Sequence, residues 1–287
     1  MKIKVIDTGL FKLDGGAMFG VVPKTMWQKL NPPDENNLCT WAMRCLLIES
    51  GDRKILVDTG IGLKQDEKFR SHFEPHGEDD LFSSLAKHGL TPAAITDVFL
   101  THLHFDHCGG AVHYNEEREL VASFPNATYW TNQKHYDWAL QPNPREKASF
   151  LKENFVPLAD AGKLQFIDSS TDLIDWIEGI QIQLVYGHTE AMMMLIIPMD
   201  NGKKLVYCAD LIPSSFHIGL PYVMSYDLRP LVTMKEKERL LEAAVANDYY
   251  LFFEHDPLHE CATVYKTDRG RIRLKAYHSL AQLQAPN

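Results

Sequence analysis

The chain has 287 residues, 45% hydrophobic and 23% charged, a balance that suits a globular protein with one large domain, expected to span 1–287. Its net charge of −9 argues against nucleic acid or other anionic polymers as partners, since these require a basic patch. Five cysteines without regular spacing make no disulfide framework and no apolar run reaches membrane-spanning length, so a cytoplasmic protein with no membrane partner is expected.

Lys2 to Asp7 reads as a charged edge strand and lacks the apolar segment of a signal peptide. From 10 to 42 the pattern shows no clean period. Phe11, Met18, Phe19, Val22 and Trp27 alternate with Gly15, Gly16, Gly20 and Pro23, so the stretch is expected to be an ordered loop over a substrate pocket or a subunit interface. Met18, Phe19, Met26 and Trp27 are its candidates for lining an apolar pocket, and a homodimer is compatible with the same apolar surface. Met43 to Glu49 and Lys54 to Val57 flank the turn sequence Ser50-Gly51-Asp52-Arg53 and predict a hairpin that runs into Asp58-Thr59-Gly60. Lys64 to Asp80 is dense in charge and is expected at the surface, with His72 and His76 as surface residues. Leu81 to His88 has helical spacing with Gly89 as its stop, and Ile95 to Leu100 is an apolar strand.

That strand leads into Thr101-His102-Leu103-His104-Phe105-Asp106-His107-Cys108-Gly109-Gly110, an H-x-H-x-D-H pattern. On an extended backbone His102, His104 and Asp106 would face one side. Imidazoles and a carboxylate suit zinc, iron or manganese, and the glycines that follow let the backbone turn sharply. Beyond the motif, Ala127 to Trp130 reads as a strand, and Asn132 to Leu140 and Glu146 to Asn154 read as helices.

The second half uses one device three times. Strand-like runs at 181–186, 204–209 and 249–254 deliver His188, Asp210 and His255 just past their carboxyl ends. With His102, His104, Asp106 and His107 these make seven donors, enough for two ions that share a carboxylate, and Asp210 is the natural bridge. Residues 233–246 form an amphipathic helix, with Lys235-Glu236-Lys237-Glu238-Arg239 expected outside. Cys261 to Thr267 and Arg271 to Ala276 close the chain as a hairpin.

In order and spacing, Asp58 in V-D-T-G, the H-x-H-x-D-H motif, Gly187-His188-Thr189, Asp210 and the late His255 resemble the metallo-β-lactamase superfamily over about residues 40 to 260. The resemblance implies a four-layer αββα sandwich, an α/β fold with a dinuclear site. By that match His102, His104 and His188 bind one ion, Asp106, His107 and His255 the other, and Asp210 bridges them, while Asp58 orients the ligand loop. The implied cofactors are two divalent metal ions, zinc first, with iron, manganese or cobalt as alternatives. Within the superfamily, residues 14–24 and Thr-His-Leu-His-Phe-Asp-His are similar to the N-acyl-homoserine lactonase branch and its methyl parathion hydrolase relatives. Met192 stands where G-H-T-x-G-H has its final His, and Pro213 where some lactonases carry a tyrosine.

The expected reaction is opening of a small-molecule lactone or ester by a metal-bridging hydroxide, with Asp106 and Asp210 handling protons. Tyr226, Tyr222 and His217 are the candidates for the second substrate hydrogen bond, Tyr226 foremost. The rival readings are a phosphotriesterase or aryl esterase of the methyl parathion hydrolase type, and a metal-binding scaffold without turnover.

Overall fold

The computed structural model describes residues 1–285, whose contacts fall into two compact units. The first comprises Met1–Leu10 and Met43–Thr171; the second comprises Phe11–Ala42 and the chain from Asp172 on.

The first unit is built on a six-stranded sheet of order β1-β2-β3-β4-β7-β8: β1 (Lys2–Asp14), β2 (Leu38–Ser50), β3 (Arg53–Val57), β4 (Asp97–Phe99), β7 (Thr128–Asn132) and β8 (Leu164–Ile167). The unit boundary runs through β1 and β2. The small hairpin of β5 (Val112–Tyr114) and β6 (Leu120–Ala122) lies between β4 and β7 in sequence. The expected hairpin at 50–53 is present, with Leu46 opposite Val57 and Gly51 at φ 56°, a conformation that costs glycine little. From β3 to β8 every pairing is parallel, which explains why β4 reads as an unbroken apolar run: it is buried on both faces. Ile6, Leu47, Leu56, Leu85, Val98, Phe124 and Tyr129 belong to one core cluster.

The charged segment 64–80 keeps to the surface as expected, and one expectation for this unit changes. The charged segment 64–80 holds a helix (Glu67–Phe73) whose Phe69 and Phe73 pack on Phe105 at ring separations of 5.2 and 4.5 Å. His72 and His76 are exposed, as expected. Residues 146–154 do not form the expected α-helix. The chain turns on Asn143, whose carbonyl accepts from the Glu146 and Lys147 amides, and only Lys152–Asn154 makes a single 3-10 turn.

The second unit carries a seven-stranded sheet of order β15-β14-β13-β12-β11-β10-β9. Its strands are β9 (Leu173–Asp175), β10 (Gln181–Val185), β11 (Met192–Pro198), β12 (Lys204–Tyr207), β13 (Tyr250–Phe252), β14 (Cys261–Lys266) and β15 (Ile272–His278). All neighbours pair antiparallel except β12 and β13, which are parallel and so bring their carboxyl ends to the same edge. The stretch 10–42 is more regular than a loop. It contains the end of β1, two short helices, α1 (Gly15–Phe19) and α2 (Lys24–Trp27), and the start of β2. Its aromatic side chains are packed away: Phe19 stacks on Trp27 at 5.3 Å and on the His217 ring at 5.0 Å, with an interplanar angle of 3° in the latter pair.

The amphipathic helix is longer than expected, Pro230–Asn247, with Leu240, Leu241 and Ala244 inside. Lys237, expected in solvent, is 0% exposed. Its ammonium donates to the carbonyls of His217 (2.9 Å), Gly219 (3.0 Å) and Tyr222 (2.8 Å), closing the 217–222 loop onto the helix. Burial pushes its pKa down to about 7, with Asp227 opposing the shift. Three acceptors around one nitrogen call for the charged form.

Lys237→Met keeps the volume but strips three buried carbonyls of their donor. It should lower unfolding stability by roughly 1–3 kcal/mol, read as an earlier urea midpoint with an unchanged slope. An unmoved midpoint would mean that those carbonyls do not depend on the lysine.

Candidate metal centre

In the first unit the functional motif begins where β4 ends. His102 to His104 run through a loop, and Phe105–Cys108 form a single helical turn, so Asp106 and His107 sit on a helix rather than continuing an extended alternation. The loop can turn here because Gly109 and Gly110 press against backbone. A Cβ on Gly109 would stand 2.2 Å from the Ile61 carbonyl oxygen, and one on Gly110 would stand 2.3 Å from that of Thr59. Thr59 in turn donates through its backbone N–H (2.7 Å) and hydroxyl (2.9 Å) to the His107 carbonyl.

His102, His104, Asp106 and His107 are all buried. Nε2 of His102 and Nδ1 of His104 face each other at 3.1 Å. On the outer side, His102 Nδ1 lies 3.1 Å from Thr101 Oγ1, whose hydroxyl donates to Asp58 Oδ2 at 2.7 Å. Nδ1 of His107 faces the same Asp58 Oδ2 at 3.1 Å, and its Nε2 lies 3.8 Å from Asp106 Oδ2. The other Asp58 oxygen accepts from the Thr101 N–H at 2.8 Å. Asp58 is fully buried and holds φ 58°, a conformation rare outside glycine, asparagine and aspartate. Its role in orienting the ligand loop is therefore direct: one carboxylate fixes a ring, a hydroxyl and a backbone amide.

In the second unit His188, Asp210 and His255 follow the ends of β10, β12 and β13. Asp210 offers Oδ2 to His188 Nε2 and Oδ1 to His255 Nε2, both at 3.1 Å. The outer nitrogens are occupied as well: Nδ1 of His188 bonds Asp227 Oδ1 at 2.8 Å, and Nδ1 of His255 bonds the Ala42 carbonyl at 2.7 Å. Burial disfavours charge on His188, yet Asp210 and Asp227 outweigh it and push its pKa up to about 10. Backbone N–H groups of Tyr186 and Gly187 donate to the Glu236 carboxylate at 2.8 and 3.0 Å, which pins the turn before His188.

The donor set fits divalent ions. In both units the outer nitrogen or carboxylate contacts fix ring orientation, while the inner nitrogens converge on one another or on a carboxylate. Two imidazole nitrogens facing at 3.1 Å need a proton or a cation between them, and Asp210 presents one oxygen to each of two rings, as a bridging ligand does.

Of the substrate-contact candidates, His217 is removed from solvent with both nitrogens engaged: Ser214 Oγ at 2.7 Å and the Met18 carbonyl at 2.9 Å. Burial pushes its pKa down to about 3, so it is a neutral packing element. Met18, Phe19 and Trp27 are buried with it, whereas Met26 and Tyr222 line an open cavity of about 620 Å³ with Ile218 and Met234. Tyr226 is 37% exposed beside Asp227.

Sequence reading missed Asp227, the Thr101 hydroxyl and the Ala42 carbonyl as partners of the rings. Nothing local to Asp227 ties its carboxylate to His188, and a backbone carbonyl leaves no sequence signal.

The model of the metallo-beta-lactamase superfamily matches residues 44–255. A solved structure of a probable metal-dependent hydrolase from Staphylococcus aureus is 30% identical, with TM-score 0.85 over 96% of this chain and 95% of its own. AidC, a dizinc quorum-quenching lactonase solved with a product, has TM-score 0.76 at 22% identity, over 97% of this chain and 95% of its own. The N-acyl homoserine lactonase AiiA of Bacillus thuringiensis subsp. kurstaki is 23% identical over 239 residues, covering 79% of this chain and 85% of that protein. The chain belongs to the metallo-β-lactamase superfamily and has its mixed α/β fold. It is a metal-dependent hydrolase of that superfamily.

Gly187 packs so closely on the helix that a Cβ there would lie 2.3 Å from Thr233 Oγ1 and 2.4 Å from its nitrogen. Gly187→Ala should displace the adjoining His188 and cost roughly 1–3 kcal/mol of stability, seen as a lowered thermal midpoint. A wild-type midpoint would contradict the contact.

Proposed function

We propose that the chain is a dinuclear metal-dependent lactonase that hydrolyses N-acyl-homoserine lactones, folded as one domain and working in the cytoplasm. The observation that carries the reading is the Asp210 carboxylate, one oxygen directed at His188 and the other at His255. On this reading His102, His104 and His188 hold one ion, Asp106, His107 and His255 hold the second, and Asp210 is shared. Zinc suits the imidazole-rich set, and AidC is a dizinc enzyme. Two such ions supply Lewis acidity for the carbonyl and lower the pKa of water.

The chain's own residues then have separate tasks. Hydrolysis adds water across the ring C–O bond, with the oxygen going to the carbonyl carbon and a proton to the departing ring oxygen. Asp106 and Asp210 are the carboxylates able to carry that proton, being buried but not sealed, at 8% and 6% exposure. Asp58, Thr101 and Asp227 hold the rings in their tautomers and do not touch substrate. Tyr226 takes the hydrogen bond to the substrate amide or carbonyl; support for this is its 37% exposure and its position next to Asp227 in the chain. The Met26–Tyr222 cavity offers Met26, Ile218, Leu220 and Met234 to an acyl chain, beside the charged side chains of Glu238, Glu242, Arg271 and Arg273.

The test is turnover of acyl-homoserine lactones of several chain lengths beside an aryl ester and an aryl phosphotriester, with metal assayed on the same sample. Lactones far ahead with two ions per chain is the expected result, and an ester or phosphotriester ahead would overturn the substrate. Asp210→Ala should lose at least roughly 100-fold in kcat/KM, more than the loss of an outer partner causes. Undiminished turnover with full metal loading would refute the bridging role.

A further inference from the structure

The outer nitrogen of one motif histidine faces a carboxylate that no motif announces. Glu146 lies in the turn 143–149 of the first unit, 3% exposed, with its Oε1 3.7 Å from His104 Nε2. Its Oε2 is fully engaged, accepting from Trp138 Nε1 and from Asn143 Nδ2, each at 2.7 Å. The same turn grips the ligand loop elsewhere: the Phe105 N–H donates to the Ser149 carbonyl at 3.0 Å, and the Phe150 ring packs 4.7 Å from that of His104. A carboxylate withdrawn from water needs compensation on both oxygens. Two neutral donors serve Oε2, and the imidazole edge of His104 stands beside Oε1. Carboxylate torsions are broad, so a modest rotation brings Oε1 to bonding distance.

We infer that Glu146 is a positioning residue for the metal centre, holding His104 as the Nε2–H tautomer so that its Nδ1 lone pair points inward. Resting on the metal-centre reading above, this assigns each motif ring its own acceptor: Asp58 for His107, Thr101 for His102 and Glu146 for His104. His104 needs the tautomer opposite to that of His102, because its inner nitrogen is Nδ1 while that of His102 is Nε2. A shared acceptor does not set both, whereas separate ones do. The chemistry is that of a carboxylate–histidine–metal relay, in which the outer carboxylate fixes ring orientation and raises the basicity of the inner nitrogen.

Glu146→Gln makes the idea decisive. Trp138 and Asn143 both donate to the same position, so the amide oxygen must occupy it. The amide NH2 then faces His104 Nε2, where it donates rather than accepts. The variant keeps size and packing yet demands the wrong tautomer. In metal-free protein, ring 15N shifts should report His104 as Nε2–H in the wild type and shifted toward Nδ1–H in Glu146→Gln. In competition with a chelator for Zn2+, one of the two ions should bind about 10–100-fold more weakly. Trp138→Phe removes a donor from Oε2 and leaves Oε1 in place, so it should lower thermal stability and leave metal affinity alone.

A folded Glu146→Gln with wild-type ring shifts and wild-type affinity overturns the inference, as does an equal loss of affinity in Trp138→Phe. A wild-type protein that takes up fewer than two ions refutes the dinuclear reading instead, and the ring shifts of the metal-free protein still decide the part played by Glu146.

Discussion

The structure depends on keeping imidazole rings and carboxylates out of water without leaving their polar edges unmatched. Five motif and strand-end histidines are buried, and an imidazole in such a place is costly unless both nitrogens are provided for. The chain sets an acceptor behind four of the rings, Asp58, the Thr101 hydroxyl, Asp227 and the Ala42 carbonyl, and places the Glu146 carboxylate 3.7 Å from the fifth. The outer contact leaves the other nitrogen turned inward, which is the orientation a ligand set requires. Structural stability and function are in this respect one requirement, because the groups that satisfy buried rings also select their tautomers.

The backbone provides the rest of the geometry. Buried strands stop abruptly and release their next residues as loops, and each loop is tied by side chains that do not themselves bind metal. Thr59 holds the His107 carbonyl, Glu236 holds the amides before His188, and Asp256 accepts from the Ser215 amide and hydroxyl. The second unit adds an uncommon device in Lys237, a charged side chain used as a three-way backbone cap. It keeps the 217–222 loop, and through His217 the stacked Phe19, in a fixed arrangement.

Several features were legible because local chemistry decides them. The 50–53 turn follows from Gly51, the helix at 81–87 from its apolar spacing and from Gly89, and β4 from a run that only a doubly buried strand tolerates. The motif donors were legible because few other roles place three histidines and an aspartate in six positions. The misses share a cause. Lys237 and Glu146 lie in charged or turn-rich stretches where solvation is the ordinary expectation; Lys237 is buried because carbonyls of the 217–222 loop match it, and Glu146 because Trp138 and Asn143 turn their donors onto it beside His104. Residues 10–42 hide their regularity because helices of four or five residues are too short to show a period.

By itself the sequence determined which residue types are available as donors, their order along the chain, the strands that carry them, and hence the superfamily. Those are matters of composition, spacing and hydrophobic pattern, which are properties of neighbouring residues. Tertiary structure decided which nitrogen of each ring faces inward, which acceptor stands behind it, and which of the apolar candidates are core rather than pocket. The reason is that a hydrogen bond between Asp227 and His188, 39 positions apart, depends on where two loops come to rest, and nothing in either segment records the other.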